Sequence, residues 1–492
     1  MTGTTAIEHP TAPPAQGGRW ALAGLALVTL LASLGTSVAN VALPTLETAF
    51  GASFGQVQWV VLAYLLAVTT MVVGAGRLGD LVGRRRLLTA GVATFTVASA
   101  ACAAAPALWM LSAARAVQGL GAAAMMALSL AFVAETVPPT RTGRAMGVLG
   151  STSAIGTALG PSVGGVLITA FGWRAIFLVN LPLGLVAMRL VSRHLPADRR
   201  LAGGRPDVAG TLVLAGTLGA YALALTIGKG VVGAGLAAAA VGGGGLLVVV
   251  ERRAAVPLVS AETLRDPIQR AGLLTAGLVS TVMMATLVVG PFYLSRALGL
   301  APVLVGAVMS VGPAVVAVAG MPAGRIADAM GARRVTIAGL AAMTAGVLLL
   351  VVTPGALGVA GYLGPIVVTT VGYALFQTAN NTAVMAGSDP ERRGEVSGML
   401  NLARNLGLIT GASLMGAVYA FASGVHGRVH VEHPATGMRV TFILAAVMLL
   451  LATAIAVGAR SAPGGAPPFS RPAAPRRPVR RWPSRRRAPG PW

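Results

Sequence analysis

A charged segment of one form occurs twice in the chain, at residues 76–86 (GRLGDLVGRRR) and 324–334 (GRIADAMGARR). An aspartate at a helix end can pair with a facing helix N-terminus or with an arginine, and such a contact is breakable. The first segment therefore predicts a gating contact between Asp80 and either Arg144 or Arg84, loosened by protonation or by substrate. The alternative is a positively charged topology anchor with no part in movement.

Other patterns of chemically active residues are weak. Cys102 is the sole cysteine, so neither an intrachain disulfide framework nor a cysteine-based metal site is expected. Residues 426–433 hold three histidines with a single acid beside them, and we expect no metal there. The sole lysine, Lys229, belongs to no phosphate-binding loop. The sequence predicts no catalytic residues, no cofactor, and a protein that is not an enzyme.

Composition places most of the chain in lipid. It is 55% hydrophobic and only 10% charged, with a mean hydropathy of +0.78. A soluble domain averages about 25% charged residues. The 65 glycines suit close contact between helices, where lipid supplies no hydrophobic drive for association. We therefore predict an all-α polytopic membrane protein.

Apolar runs of about 20 residues, the length that crosses a bilayer, number fourteen by our count. The first is too long for a cleaved signal peptide and lacks a basic flank beyond Arg19. The predicted spans are 20–43, 56–75, 87–105, 107–134, 145–170, 173–193, 208–228, 231–250, 270–292, 302–322, 334–353, 358–383, 397–421 and 439–458.

The positive charges behind the net charge of +23 are distributed unevenly between the predicted inner and outer sides of the membrane. With the N-terminus inside, most basic residues fall on the inner side, and the outer segments carry only Arg174, Lys229, Arg296, Arg428 and Arg439. This skew follows the positive-inside rule and predicts that both termini are cytoplasmic. The Arg/Pro-rich tail is expected to lie near anionic lipid headgroups, and no nucleic-acid partner is expected.

The spans divide into two sets of six, each with its charged segment after an even-numbered span. Such duplication is typical of transporters whose halves move against each other. The predicted organisation runs from a disordered N-terminus to a disordered cytoplasmic tail, with two linker transmembrane helices between two six-helix bundles: 1–18, 19–195, 196–269, 270–458 and 459–492.

Five motifs in order resemble those of the major facilitator superfamily, in its fourteen-helix drug/proton antiporter branch, over nearly all of residues 20–458. The motif at 111–121 resembles an arginine-bearing motif of the superfamily, and the motif at 156–165 resembles one that is associated with antiporters rather than symporters. The resemblance implies a proton-driven exporter that works by rocker-type alternating access. The motifs are 40–44 (NVALP), 76–86, 111–121 (LSAARAVQGLG), 156–165 (GTALGPSVGG) and 173–182 (WRAIFLVNLP).

Arg115 has the most unfavourable free energy of membrane insertion among residues of the predicted spans, because a lone guanidinium in lipid costs several kcal/mol unless it faces water or a partner. The resemblance implies that it serves proton coupling by stabilising the charged form of a nearby acid or by hydrogen bonding with one. The alternative is that it snorkels to the outer surface. Arg404, near Asn401 and Asn405, is its counterpart in the second half, but it lies nearer the cytoplasm, so a purely structural role is an equal alternative.

The Gly160-Pro161 pair lies inside the fifth predicted span, where proline removes a backbone hydrogen bond. We expect Gly160, Pro161 and Gly165, with Gly156 and Gly164, to form a smooth face that slides against a helix of the other half. The alternative is a purely packing role.

One departure from the resemblance affects the expected substrate. The branch commonly has an aspartate in the first span, where this chain has Gly35, and no acid falls in the middle of a predicted span. A cavity without a carboxylate is poorly suited to cations. We therefore expect neutral or weakly charged substrates, with Glu47 or Asp80 as the titrating acid.

The predicted cavity is apolar with amide, hydroxyl and aromatic contacts, although each amide is equally well explained as an interhelical hydrogen bond. The candidate substrate-binding residues are Asn40, Gln58, Trp59, Tyr64, Gln118, Asn180, Gln377, Asn380 and Asn381, together with Met125, Met126 and Tyr293.

The sequence as a whole predicts a monomeric secondary transporter of a bacterial plasma membrane, which uses the proton gradient to export small amphipathic compounds. Its expected partners are a small-molecule substrate and the lipid bilayer. The alternatives are an importer or uniporter of a small metabolite, and a membrane sensor that transports nothing.

Overall fold

The computed structural model describes residues 15–136, 142–198, 208–226, 230–251, 263, 265–386, 393–424 and 433–459. Within these ranges every regular element is a helix, which confirms the predicted all-α class. Helices suit long apolar runs because they satisfy all backbone polar groups internally, as lipid requires.

The first part of the chain forms six long helices. Short helices Phe54–Val57 and Ala175–Leu178 precede the second and the sixth of them. The six are α1 (Ala15–Phe50), α2 (Trp59–Val82), α3 (Arg84–Ala104), α4 (Leu108–Thr136), α5 (Thr142–Phe171) and α6 (Asn180–His194).

The rest of the described chain forms seven more long helices and two π-helical turns. One turn, Tyr293–Ala297, follows the third of these helices, and the other, Gly411–Met415, joins the sixth to the short helix Gly416–Ala422. The helices are α7 (Val208–Thr226), α8 (Gly230–Glu251), α9 (Pro267–Phe292), α10 (Pro302–Met330), α11 (Ala332–Ala386), α12 (Arg393–Thr410) and α13 (Pro434–Gly458).

In the described ranges, twelve helices are long and apolar enough to cross a membrane. Among them, α11 is 55 residues long and has a non-helical backbone at Gly358, where two helices join across a kink. The apolar part of α7, Gly210–Thr226, is shorter than the others. These twelve helices do not confirm the predicted number of fourteen spans.

Both charged segments turn in the same way. Gly83 lies between α2 and α3 with φ 110°, and Gly331 lies between α10 and α11 with φ 86°. Both values fall in the left-handed region that favours glycine. The repeated glycine of the two segments thus makes the same tight connection between successive helices.

Among the first six long helices, α1 packs on α5, and α4 packs on both α2 and α3. Among the later helices, α9 packs on α12 and α13, and α11 packs on α10 and α13. The contact of α5 with α10 joins the two sets. Helices α7 and α8 pack on each other, and α7 also touches α2.

Candidate functional site

A cavity of about 470 Å³ lies between α5, α9, α10, α11 and α12. This volume is within the range of small-molecule sites, about 300–1,000 Å³. The lining is mainly apolar, and no acidic residue is part of it. Its residues are Gly150, Ser153, Ala154, Thr157, Met283, Thr286, Leu287, Val308, Met309, Gly312, Pro313, Val316, Tyr362, Ile366, Thr370, Tyr373, Gln377 and Leu408.

Of the nine principal substrate-binding candidates, Gln377 lines this cavity. Its Nε2 donates a hydrogen bond of 3.1 Å to the hydroxyl of Tyr373, one turn earlier on α11. Asn380 is used differently, because its Nδ2 donates to the backbone carbonyl of Gly272 on α9 at 3.0 Å. Asn380 therefore acts as an interhelical hydrogen bond, the alternative considered for these amides.

Next to the cavity, Asn381 and Arg404 form a polar contact between α11 and α12. The Arg404 guanidinium donates to Oδ1 of Asn381. Leu408, one turn after Arg404 on α12, lines the cavity. Together with Gln377, which lies one turn before Asn381 on α11, these two residues form a polar edge beside a mainly apolar cavity.

Four other candidates lie apart from the cavity lining, and each is buried or partly buried. Polar atoms without a hydrogen-bond partner occur on all four: Oδ1 of Asn40, Nε2 of Gln58, Nε1 of Trp59 and both amide atoms of Asn180. Such unsatisfied atoms are uncommon in folded proteins. The predicted amides are thus not gathered in one place, since Gln377 lines the cavity and these four residues do not.

Arg115 lies at the centre of a polar network among α1–α4. It is fully buried, with 0% of its surface exposed, so it does not snorkel outward. Nε donates to the carbonyl of Val60 at 2.9 Å, and Nη1 donates to Oε1 of Gln118 at 2.5 Å. Gln118 donates in turn to Ser99 at 2.6 Å, and the guanidinium lies 4.2 Å from the ring centre of Tyr64.

Gly35 faces this network. A β-carbon built there would lie 3.0 Å from Cζ of Phe95 and 3.5 Å from the Tyr64 hydroxyl. A side chain at residue 35, where the resemblance leads us to expect an aspartate, would therefore lie next to Tyr64, on which Arg115 stacks. Among the described residues the direct hydrogen-bond partners of Arg115 are an amide and a carbonyl, not the acid that the resemblance implied.

Glu47 forms an ion pair with Arg296, which belongs to the π-helical turn after α9. Glu47 is 8% exposed, and the Arg296 guanidinium also stacks over Phe292 at 5.2 Å. The two charged residues are 249 positions apart, so the pair joins the end of α1 to the end of α9. The sequence singled out Glu47 but gave no sign of its partner.

Aromatic rings surround the same region. The ring centre of Phe54 lies 4.5 Å from that of Phe292 and 5.2 Å from that of Tyr419. Nearby, the amide of Gln58 fills the space beside Gly416. These contacts also join residues of the first helices to residues of the later ones.

The glycines of α5 face two different helices, which corrects the prediction of one sliding face. Three of them pack on α1: Gly156 on Leu30 and Ser33, Gly160 on Ser37 and Val38, and Gly164 on Val38 and Val41. The prediction was wrong for these three.

The contact with the later helices comes from Pro161 and Gly165. A β-carbon on Gly165 would lie 3.0 Å from Cα of Val303 and 3.2 Å from Cα of Gly306. Gly306 in turn lies against the Pro161 carbonyl. One residue further along, the backbone N–H of Ser162 donates to Ser310 at 2.9 Å.

The predicted gating contact of the first charged segment stays a prediction, because the side chains of Asp80 and Arg144 are among those that the structure does not describe. Arg84 begins α3. A partner that sequence reasoning missed is Asp198, whose carboxylate accepts from the backbone N–H of Arg85 at 2.7 Å. Its position in a charged linker just after α6 was the available signal.

Sequence comparison gives three consistent findings. The profile described as Major Facilitator Superfamily matches residues 25–412 and 272–492. The Uncharacterized transporter YebQ of Escherichia coli K12 is 32% identical over 390 residues, covering 78% of this chain and 85% of that protein. The Multidrug resistance protein Stp of Mycobacterium tuberculosis is 31% identical over 411 residues, covering 80% of this chain and 76% of that protein.

Structural comparison finds a similar fold in a bacterial homologue of the human lysosomal transporter Spinster, solved inward-facing and unoccupied. The TM-score is 0.69 at 16% identity, covering 92% of this chain and all of that one. At that identity the likeness concerns the fold alone.

Proposed function

The chain belongs to the major facilitator superfamily, and on that premise we propose that it exports small amphipathic compounds in exchange for protons, as a member of the fourteen-helix drug/proton antiporter branch. The observation that carries the proposal is the apolar cavity of about 470 Å³ between α5 and the later helices. A compound bound there would touch both halves, as alternating access requires.

The fourteen-span topology is supported by two features of the helices. If the two helices joined at Gly358 each cross the membrane, α11 supplies two spans. If α7 (Val208–Thr226) also crosses, the total rises from twelve to fourteen. In this topology both termini are cytoplasmic, in a bacterial plasma membrane.

Alternating access is supported by the position of the contacts between the halves. Glu47 lies near the end of α1, Gly165 near the end of α5 and Arg296 just after α9, while Val303 lies at the start of α10. Successive spans alternate in direction, so these positions fall on one side of the membrane. We assign that side as the outer one, closed in this conformation.

Proton coupling is proposed to run through Glu47. Protonation from the outer side removes its negative charge and breaks the ion pair with Arg296. The outer contact is weakened and the halves can separate there. This role would replace the acid that the branch commonly has where this chain has Gly35. Asp80 remains a second predicted coupling residue.

Arg115 is proposed to hold α2, α3 and α4 together as one unit during the movement. Replacing it with methionine is expected to slow transport by about tenfold to hundredfold, because hydrogen bonds to a charged group contribute about 1.5–3 kcal/mol each. The measurement is the initial transport rate at matched membrane expression.

The matched control for this prediction is Val117→Met, two residues further on α4, where the side chain is 46% exposed. That variant is expected to transport normally. A wild-type rate in Arg115→Met would show that the buried guanidinium has no part in transport.

The export function is tested by growing an efflux-deficient bacterial host on a panel of amphipathic antibiotics and dyes, with and without the protein. We expect several-fold lower accumulation and higher resistance for a subset of the panel. Unchanged accumulation of every compound at verified membrane expression would contradict export.

A further inference from the structure

Arg404 gives the polar edge of the cavity a positive charge. Tyr373 and Gln377 line the cavity, and so does Leu408, one turn after Arg404 on α12. Its guanidinium donates to Asn381, four residues beyond Gln377 on the same helix. The positive charge therefore lies about one helical turn from residues that a bound compound would touch.

No carboxylate balances this charge in the part of the chain that the structure describes. The recorded hydrogen-bond partner of Arg404 there is the Asn381 amide oxygen, and the cavity lining contains no aspartate or glutamate. A guanidinium has five N–H donors, so most of its hydrogen-bonding capacity is not used by that amide. An arginine at membrane depth normally pairs with an anion, a carbonyl or water.

Arg404 differs from Arg115 in its surroundings. Arg115 is fully enclosed and stacked on Tyr64, whereas Arg404 is only partly buried. An arginine that is only partly buried and lies one turn from a cavity can reach a ligand there, and a fully enclosed arginine cannot. Opposite this edge, the cavity wall is apolar, with Met283, Leu287 and Val308 on α9 and α10.

We propose that the cavity selects amphipathic compounds that carry a carboxylate, with Arg404 binding the carboxylate and the apolar wall holding the hydrocarbon body. This inference rests on the proposed export function and narrows its substrate class from neutral or weakly charged to anionic. Guanidinium and carboxylate form charge-assisted hydrogen bonds in a matching planar geometry. Cationic amphiphiles are disfavoured, because the same guanidinium repels them and no acid in the lining attracts them.

The test uses matched probes in purified wild-type protein and in everted membrane vesicles. The probes are 2-naphthoate, 2-naphthamide and 2-(aminomethyl)naphthalene, with the corresponding set built on coumarin. Wild type is expected to bind and move the carboxylates best. Arg404→Gln is expected to weaken carboxylate binding by about 10- to 100-fold, the loss of one charged hydrogen-bonded contact, and to leave amide binding nearly unchanged.

Two further variants separate charge from packing. Arg404→Lys keeps the charge and is expected to retain part of the preference for carboxylates. Asn381→Leu removes the contact between α11 and α12 but leaves the guanidinium, so it should preserve that preference even if all rates fall.

The outcomes distinguish the inference from the function beneath it. Equal loss of carboxylate and amide binding in Arg404→Gln, or a wild-type preference for the amines, would overturn the anionic assignment and leave export standing. If neither probe set is bound or moved by wild-type protein, the anionic assignment fails together with the export function proposed for this cavity.

Discussion

Replacing Gly165 with leucine is expected to reduce the transport rate by at least about 5- to 150-fold while the protein still inserts and folds. A β-carbon at this position would meet the Pro302 carbonyl and lie 3.0 Å from Cα of Val303. These are backbone atoms of α10, so they cannot swing aside as a flexible side chain would. Relief requires α5 and α10 to separate, which opens the contact that closes the outer side.

The expected size of this effect follows from the cost of overpacking, typically 1–3 kcal/mol. Applied to one of two conformations, that cost shifts their ratio by about 5- to 150-fold. Because each cycle must pass through the closed conformation, the rate should fall at least as much. The measurement is substrate movement at matched expression.

The matched control is Gly147→Leu on the same helix. Gly147 is exposed, and beyond the backbone of its own helix no heavy atom lies within 4 Å of a β-carbon built there, so we expect leucine to be accommodated without moving a neighbour. We expect this variant to transport at the wild-type rate. Wild-type transport by Gly165→Leu would refute the assignment of α5 and α10 as the outer closing contact.

Glu47→Gln is expected to uncouple transport from the pH gradient. Glutamine keeps the shape of the side chain and can accept a hydrogen bond from Arg296, but it has no charge to gain or lose. Accumulation driven by a pH gradient should fall by about tenfold or more, since a charged hydrogen bond contributes about 1.5–3 kcal/mol. Exchange of labelled for unlabelled substrate, which needs no net proton movement, should continue.

The control for Glu47 is Thr48→Val, at the next position of α1. Thr48 is exposed and its hydroxyl bonds only to backbone carbonyls of its own helix, at 2.9 and 3.3 Å. This variant should retain full coupling. If Glu47→Gln keeps full accumulation against a pH gradient, Glu47 is not the coupling acid and Asp80 becomes the residue to test.

The local features of the molecule could be predicted from the sequence, because they depend on hydrophobic runs and glycine positions. The all-helical class, the two similar charged turns at Gly83 and Gly331, and a polar cavity residue at Gln377 are of this kind. Which helix each helix face would pack against could not be predicted from the sequence. Gly156, Gly160 and Gly164 are spaced by four and share a face, whereas Gly165 lies about 100° further round the helix. That rotation turns it from α1 to α10.

Pairs of residues far apart in the chain could not be predicted from the sequence either. Arg404 meets Asn381 across 23 positions and Glu47 meets Arg296 across 249, and no local pattern links either pair. The α11 helix also continues through Pro354, where the sequence suggested a connection between two spans. Its kink falls at Gly358, a residue that tolerates the φ of 55° found there.

Proton-driven export is tested most directly in everted vesicles energised by respiration, with accumulation of an exported panel compound or of 2-naphthoate as the readout. We predict uptake into the vesicle lumen that is lost when nigericin collapses the pH gradient in potassium medium, and that is slower by at least about fivefold in vesicles carrying Gly165→Leu. Accumulation that persists after the gradient has collapsed would contradict proton-driven export.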